Sequence, residues 1–313
     1  MLNVQFSVIV ACYNPDIEKL KKTLISIEKQ RDVSFEVIIT DDGSKLDYRD
    51  EIDAWIKSKG FQNIQLNFLA TNQGTIDNII SGLRLCSGKF VKIISPGDFL
   101  YDETSLKNYL NVFLSNSADI VFGRAVYYTS ERKIISSIST HDKTVYLKNK
   151  RIRKNLLLYC DFILGASIAT TRDVLTCYLN EVEGKVFYLE DLSLTMLALI
   201  DNKKIFATNQ YVVWYEYGEG SSTKEGGSPL VKQDTCRFFN YLKERSKNKK
   251  LERKVVNLYS LYHTHSRFKR WLGYLFSAPG YFAYRIRCRL TSSTSKRELK
   301  SINLQDMDKI TTL

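Results

Sequence analysis

Three short apolar runs in the first hundred residues stop at polar tips, and they restrict the possible folds more than any other feature of the chain. Phe90-Val91-Lys92-Ile93-Ile94 breaks at Ser95-Pro96-Gly97 and delivers Asp98. A run of this length ended by Pro-Gly reads as a buried strand and a turn. Phe6 to Cys12 is a second such run and ends at Tyr13-Asn14-Pro15, while Phe35 to Thr40 is a third and passes into Asp41-Asp42-Gly43-Ser44. Between them the apolar period becomes helical. Ile17, Leu20, Leu24 and Ile27 share one face over residues 16–29, a second helix is expected near residues 48–59, and a strand follows over residues 64–69. Asn72-Gln73-Gly74 then opens a helix expected to reach about residue 86. Strands alternating with helices at this spacing predict an α/β fold with a doubly wound, mostly parallel sheet.

Ligands of such sheets bind in the crevice beyond the carboxyl ends of the strands. Tyr13, Asn14, Asp41, Asp42 and Asp98 would therefore line one edge. That edge suits a nucleoside diphosphate, because carboxylates accept hydrogen bonds from base and ribose and a metal-bound carboxylate offsets diphosphate charge. The chain has neither Gly-x-Gly-x-x-Gly nor Gly-Lys-Ser/Thr, so neither a dinucleotide fold nor a phosphate-binding P-loop is supported. Farther on, a helix over residues 106–116 and a strand over residues 119–128 are expected, then Asp161-Phe-Ile-Leu-Gly-Ala-Ser167. Glu190-Asp191 stands at the entrance of an apolar helix, where the helix dipole alone would also favour acids. The strand from Val212 leads into Gly218-Glu219-Gly220, either an ordinary connection or a mobile lid.

Charge divides the chain in two. Residues 1–234 hold 28 Lys+Arg against 29 Asp+Glu, whereas residues 235–313 hold 18 against 5. A neutral unit over 1–233 and a basic, aromatic, helical extension over 234–313 are thus expected, the extension meeting an anionic partner, membrane surface or nucleic acid. Phe268, Trp271, Leu272 and Leu275 lie beside Arg267, Lys269 and Arg270, and residues 291–313 read as frayed and polar. The six cysteines are scattered, with no Cys-x-x-Cys pair, as in a reduced cytosolic protein. No basic, apolar leader and no run of about 18 apolar residues is present, so the expectation is a cytoplasmic protein, peripheral at the inner face of the membrane.

Taken in order, these motifs resemble the family 2 glycosyltransferases, inverting enzymes of the GT-A fold that use nucleotide-activated sugars. The likeness covers roughly residues 4–225. It is carried by Tyr13-Asn14-Pro15, Asp41-Asp42-Gly43-Ser44, Asn72-x-Gly74 with Gly82 eight residues on, and Glu190-Asp191. The resemblance implies that Tyr13, Asn14, Asn72 and Gly74 border the nucleotide and that Asp41 or Asp42 bonds base or ribose. It places the family's Asp-x-Asp metal motif on Ser95-Pro96-Gly97-Asp98, leaving Asp98 as the carboxylate for Mg²⁺ or Mn²⁺. The family's usual Arg-Asn falls on Ile79-Ile80. Asp191 matches the general base, Glu190 would orient acceptor or base, and Asp161 and Ser167 would shape the acceptor pocket. The implied activity is hexosyl transfer from a nucleotide-diphosphate sugar, a UDP-sugar by expectation. The acceptor would be a glycan or lipid-linked saccharide, as in capsule or other surface-polysaccharide biosynthesis.

Other readings compete with this one. A catalytically degenerate nucleotide-sugar-binding protein would explain Ser95 and Gly97. A nucleic-acid-binding protein would explain the basic tail but not the acid-tipped strand ends, and a nucleotidyltransferase would carry a Gly-rich, basic signature at its first strand. The tail's aromatics could instead pack back on the sheet or join a homo-oligomer. No nucleic-acid partner is expected.

Overall fold

β1 (Phe6–Cys12) is flanked on both sides by parallel partners, β2 (Phe35–Asp41) and β4 (Phe90–Ile94), and is covered on both faces. That is why its sequence is a continuous apolar run rather than an alternation. The computed structural model describes residues 4–135, 163–218, 229–245, 266–277 and 302–313, with isolated positions at 279, 283 and 286. β3 (Ile64–Phe68) extends the parallel set beyond β2. β8 (Ile168–Thr171) runs antiparallel between β4 and β6 (Ile120–Tyr128), and β9 (Ile205–Glu216) runs parallel to β6. β5 (Phe99–Leu100) closes that edge against β9, and β7 (Ile134–Ile135) pairs with β6. The order is β3-β2-β1-β4-β8-β6-β9-β5, so the direction of winding reverses between β1 and β4. In open α/β sheets the loops after the two strands diverge at such a switch point, and ligands bind there.

The two faces are covered by different helices. Val8, Val10, Val37 and Ile39 pack toward α1 (Ile17–Glu28), α2 (Arg49–Lys59) and α4 (Ser105–Asn116). Ile9, Ile38 and Val91 pack toward α3 (Thr75–Leu83), α5 (Arg172–Val182) and α6 (Glu190–Ile200). α1 begins where the Asp16 carboxylate accepts the Lys19 N–H at 3.1 Å, a side-chain N-cap. α2 stops at Gly60, whose φ of +70° few other residues tolerate.

α7 (Pro229–Arg245) passes through the position expected to divide the chain and sends Phe238, Phe239 and Leu242 into the core beside α5 and α6. The last residues are not frayed. α9 (Leu304–Thr311) docks Met307 and Ile310 against Phe99, Val126, Tyr128 and Trp214. Lys29 donates to the Lys309 carbonyl at 2.6 Å and also to that of Thr312, and Arg132 makes a two-pronged pair with Asp308 at 2.7 and 2.8 Å. α8 (Arg267–Ser277) leaves Phe268, Trp271 and Phe276 exposed. Among the described residues no helix is long and apolar enough to cross a membrane.

Candidate active site

Three loops are laced together at the carboxyl end of the first strands. Asn14 adopts a left-handed φ of +46°, which asparagine tolerates better than most residues. Its N–H donates to Ser44 Oγ at 2.6 Å, and the Lys45 N–H donates to its Oδ1 at 2.9 Å. Asp41 accepts the Ser44 N–H at 2.7 Å, the Ser44 hydroxyl at 2.5 Å and the Tyr48 hydroxyl at 2.8 Å, which locks the turn after β2. Asp42 reaches the other way and accepts the N–H groups of Gln73 and Gly74 at 2.7 and 3.0 Å. Burial raises its pKa, against those two hydrogen bonds. Gly43 has φ +67°, and a Cβ there would stand 2.4 Å from the Thr71 carbonyl carbon. Tyr13, Asn14, Asp41, Asp42, Asn72 and Gly74 therefore come together as the sequence predicts. The two aspartates are bonded within the loops, while Tyr13, 48% exposed, and Asn72 are exposed to solvent. Ile79 and Ile80 are buried in α3, so no phosphate contact comes from there.

The turn after β4 departs from expectation. Asp98 is only 7% exposed and accepts the Glu216 N–H at 3.0 Å. Burial pushes its pKa up to about 7, opposed by that hydrogen bond and by the charges of Lys92 and Lys19. Glu216, at the end of β9, gives both carboxylate oxygens to Lys19 Nζ at 2.7 and 2.8 Å. One of those oxygens lies 2.4 Å from where a Cβ on Gly97 would stand. A divalent ion at Asp98 would thus meet one carboxylate already hydrogen-bonded, a second already paired, and a fixed ammonium beside both. Among the described residues no three His, Cys, Asp or Glu side chains gather as a metal site. The donor set does not fit the Mg²⁺ or Mn²⁺ that the family resemblance implies, since Asp98 accepts from the Glu216 backbone and Glu216 is paired with Lys19.

Glu190 and Asp191 open α6 and are half-buried. Asp191 Oδ1 accepts its neighbour Leu192's N–H at 2.6 Å, and the Gly165 N–H also bonds the carboxylate. A Cβ on Gly165 would lie 2.8 Å from Asp191 Cβ and 2.9 Å from Oδ2, so only glycine lets the chain pass this close. Burial raises the pKa of both acids, and the Asp191 charge raises Glu190 further. Two adjacent carboxyls in a partly desolvated site hold a proton at higher pH than an exposed acid does.

The 3-10 turn Gly165–Ser167 that backs Asp191 is itself anchored from below. Lys92, wholly buried in β4, donates to the Ala166 carbonyl at 2.7 Å and to that of Ile93 at 2.6 Å, and burial pushes its pKa down to about 7. Ser167 does not meet an acceptor. It is fully buried, its hydroxyl donates to the Leu164 carbonyl at 2.8 Å and its own carbonyl accepts the Tyr109 hydroxyl, so its expected acceptor role is corrected to a structural one. Asp161 lies outside the described residues.

One residue that sequence reasoning passed over ties the acids to the rest. Asp234, fully buried in α7, accepts the Phe187 N–H at 2.9 and 3.1 Å and the Tyr188 N–H at 2.7 Å. The Phe187 carbonyl in turn accepts the Ile76 N–H at 3.0 Å, beside Gly74. A hydrogen-bonded path therefore runs from Asp42 through the Gly74 loop and Phe187 to α7, passing just ahead of Glu190.

Comparison with known proteins bears on the family and the fold. The glycosyl transferase family 2 profile matches residues 7–179. Staphylococcus aureus TarS 1-349 in complex with UDP-GlcNAc superposes with a TM-score of 0.60 at 20% identity, covering 88% of this chain and 76% of that one. The longer TarS crystal structure gives 0.59 at 19%, and the chain spans 45% of its length. The Pyrobaculum calidifontis mannosyltransferase PcManGT, solved with GDP-Man and Mn2+, gives 0.57 at 13% over 98% of this chain and 78% of its own. No curated protein sequence matches. At these identities the structural likeness speaks for the fold, GT-A, and the profile, matching more than half of the residues, decides the lineage: the chain belongs to glycosyl transferase family 2 and is a glycosyltransferase.

Proposed function

We propose that the chain transfers a sugar, with inversion, from a nucleotide-diphosphate donor to a hydroxyl of a glycan or lipid-linked saccharide, with Asp191 as general base. The observation that carries this reading is the placement of Asp191, at the start of α6 against the backbone of Gly165, with Glu190 beside it and a raised pKa. In an inverting transfer the acceptor oxygen bonds to the anomeric carbon as the bond from that carbon to the diphosphate oxygen breaks on the opposite face. The diphosphate leaves with the electron pair, and the hydroxyl proton passes to the carboxylate. A base with elevated pKa holds that proton better than an ordinary aspartate near neutral pH. Tyr13, Asn14 and Asn72 would border the nucleoside, with Asp41 and Asp42 setting their loops. A UDP-sugar donor is in keeping with the TarS complexes with UDP and UDP-GlcNAc.

Asp191→Asn tests the assignment. Transfer should fall by roughly 10²–10⁴-fold, the usual worth of a positioned base, while UDP affinity stays within about twofold. Near-normal turnover would move the base to Glu190.

The excess charge of residues 235–313 and the exposed Phe268, Trp271 and Phe276 of α8 support docking on an anionic membrane surface, where a lipid-linked acceptor in surface-polysaccharide synthesis would be presented. The full chain should float with anionic liposomes at low salt and be released by high salt. Retention in the soluble fraction at low salt would refute the docking.

A further inference from the structure

We propose that this glycosyltransferase binds its donor diphosphate without a divalent cation, because the Lys19–Glu216 pair already stands at the turn where a metal-binding carboxylate would project. The inference rests on the nucleotide-sugar reading and deepens it. Three observations converge on the turn after β4. First, the positions matching the metal motif are Ser95 and Gly97, neither of which has a carboxylate. Second, the space beside Gly97 is filled: Glu216 Oε2 lies 2.4 Å from the position of a Cβ there, and the Lys19 side chain lies 3.5 Å from it. Glu216 arrives from β9, nearly 120 residues downstream, so a carboxylate has been supplied to the turn from another strand.

Third, that carboxylate is neutralised from within the chain. Lys19 Nζ bonds both of its oxygens, and Glu216 is buried whereas the lysine is one-third exposed. The turn is held rigidly around this pair. The Gly97 N–H donates to Thr23 Oγ1 at 3.2 Å, the Thr23 hydroxyl donates to the Asp98 carbonyl at 2.9 Å, and the Tyr128 hydroxyl donates to the Gly97 carbonyl. A hydrated Mg²⁺ or Mn²⁺ needs open carboxylate oxygens. Here both Glu216 oxygens are occupied by an ammonium held by the fold, and a double charge beside it would be repelled. The pair as a whole is neutral, so what the turn offers a diphosphate is the partly exposed Lys19 ammonium as a hydrogen-bond donor, in place of an exchangeable ion.

Calorimetry with UDP on the full chain tests this directly. The dissociation constant should agree within about threefold between chelator and excess Mn²⁺. Tightening by about tenfold or more in Mn²⁺ overturns the inference and leaves the nucleotide-sugar reading standing. The second arm needs no nucleotide. Lys19→Ala frees Glu216 beside Asp98, so the variant should bind Mn²⁺ alone, seen as loss of the free-ion electron paramagnetic resonance signal, while the parent does not. A parent that binds Mn²⁺, or a variant that gains none, overturns the inference. If UDP binds in neither buffer, the nucleotide-sugar reading fails, and the Mn²⁺ titration decides the present inference by itself.

Discussion

Replacing Asp234 by alanine should loosen the loop that carries the catalytic acids, although Asp234 touches neither of them. Its carboxylate is the acceptor for the N–H groups of Phe187 and Tyr188, with three contacts between 2.7 and 3.1 Å. Each buried donor left without a partner costs about 1–3 kcal/mol. Two donors give an upper range of about 6 kcal/mol, but Phe187 and Tyr188 are half-buried and water can reach part of the gap, so about 2–4 kcal/mol is expected. That is a substantial share of the roughly 5–15 kcal/mol of a typical domain, yet less than the whole, so the variant should fold. Arg237, 3.6 Å from Asp234 and stacked over the Phe187 ring, is partly exposed and can rehydrate. Amide hydrogen exchange measures the effect where it arises. With tenfold for every 1.4 kcal/mol, the Phe187 and Tyr188 amides should exchange roughly 30- to 1,000-fold faster. Sugar transfer should fall through kcat more than through the donor KM, because the bonds lost are those of Phe187 and Tyr188 just ahead of Glu190, while the Asp42 bonds to Gln73 and Gly74 remain. Asp234→Asn keeps one acceptor oxygen and should fall between parent and alanine variant. Unchanged protection at both amides would refute the reasoning outright, and so would unchanged kcat with both amides deprotected.

Three further outcomes follow from the same geometry. Because Asp191 acts deprotonated and its pKa is raised by burial beside Glu190, the transfer rate should climb with pH through a limb above the ordinary carboxylate range of about 4. Glu190→Gln should leave that limb nearly in place, because burial is what raises Asp191, and a limb displaced downward would refute burial as the cause. Glu28 has its pKa pushed up to about 7 by burial, so the fold favours its neutral form. The stability it contributes is full below about pH 4.5 and is lost as pH rises through about 7, so Glu28→Gln should match the parent near pH 4.5 and exceed it at pH 8 in urea unfolding. Ile310→Ala removes a buried side chain that packs with Phe99 and Trp214, and should cost about 2–4 kcal/mol in the same assay. A loss under about 0.5 kcal/mol would mean that α9 is detached in solution.

β1, β2 and β4 were legible because each is buried on both faces and so reads as a nearly unbroken apolar run. β1, β2 and β4 begin and end within a residue of where their sequences predict, and their polar tips meet. The antiparallel additions were harder to see. β5 is two residues long and β8 four, too short for a period to show, and β9 begins seven residues before Val212 because Ala207, Thr208, Asn209 and Gln210 dilute its apolar pattern. α9 looked frayed because its buried face consists of little more than Met307 and Ile310 among polar neighbours; the helix is held by a surface that other elements create.

Glu216 and Asp234 escaped for a different reason. Each is one acid in an otherwise unremarked strand or helix, and its partners lie far away in sequence: Lys19, 197 residues upstream, and Phe187, 47 residues upstream. Motif reading finds groups that are contiguous or regularly spaced, such as Asp41-Asp42 or Glu190-Asp191. It cannot find a carboxylate whose meaning depends on what a distant strand or helix brings beside it. The same limit applies to Ser95-Pro96-Gly97. As a sequence it is a motif with its carboxylates missing; in the fold the vacated space holds a carboxylate from β9 together with its own counterion. In this chain the turn lacks the motif carboxylates, and Glu216 with Lys19 fills the space beside Gly97. Restoring an aspartate at Gly97 alone would place its Cβ against Glu216 in a left-handed backbone, adding strain and like charge to the turn rather than recovering a metal site.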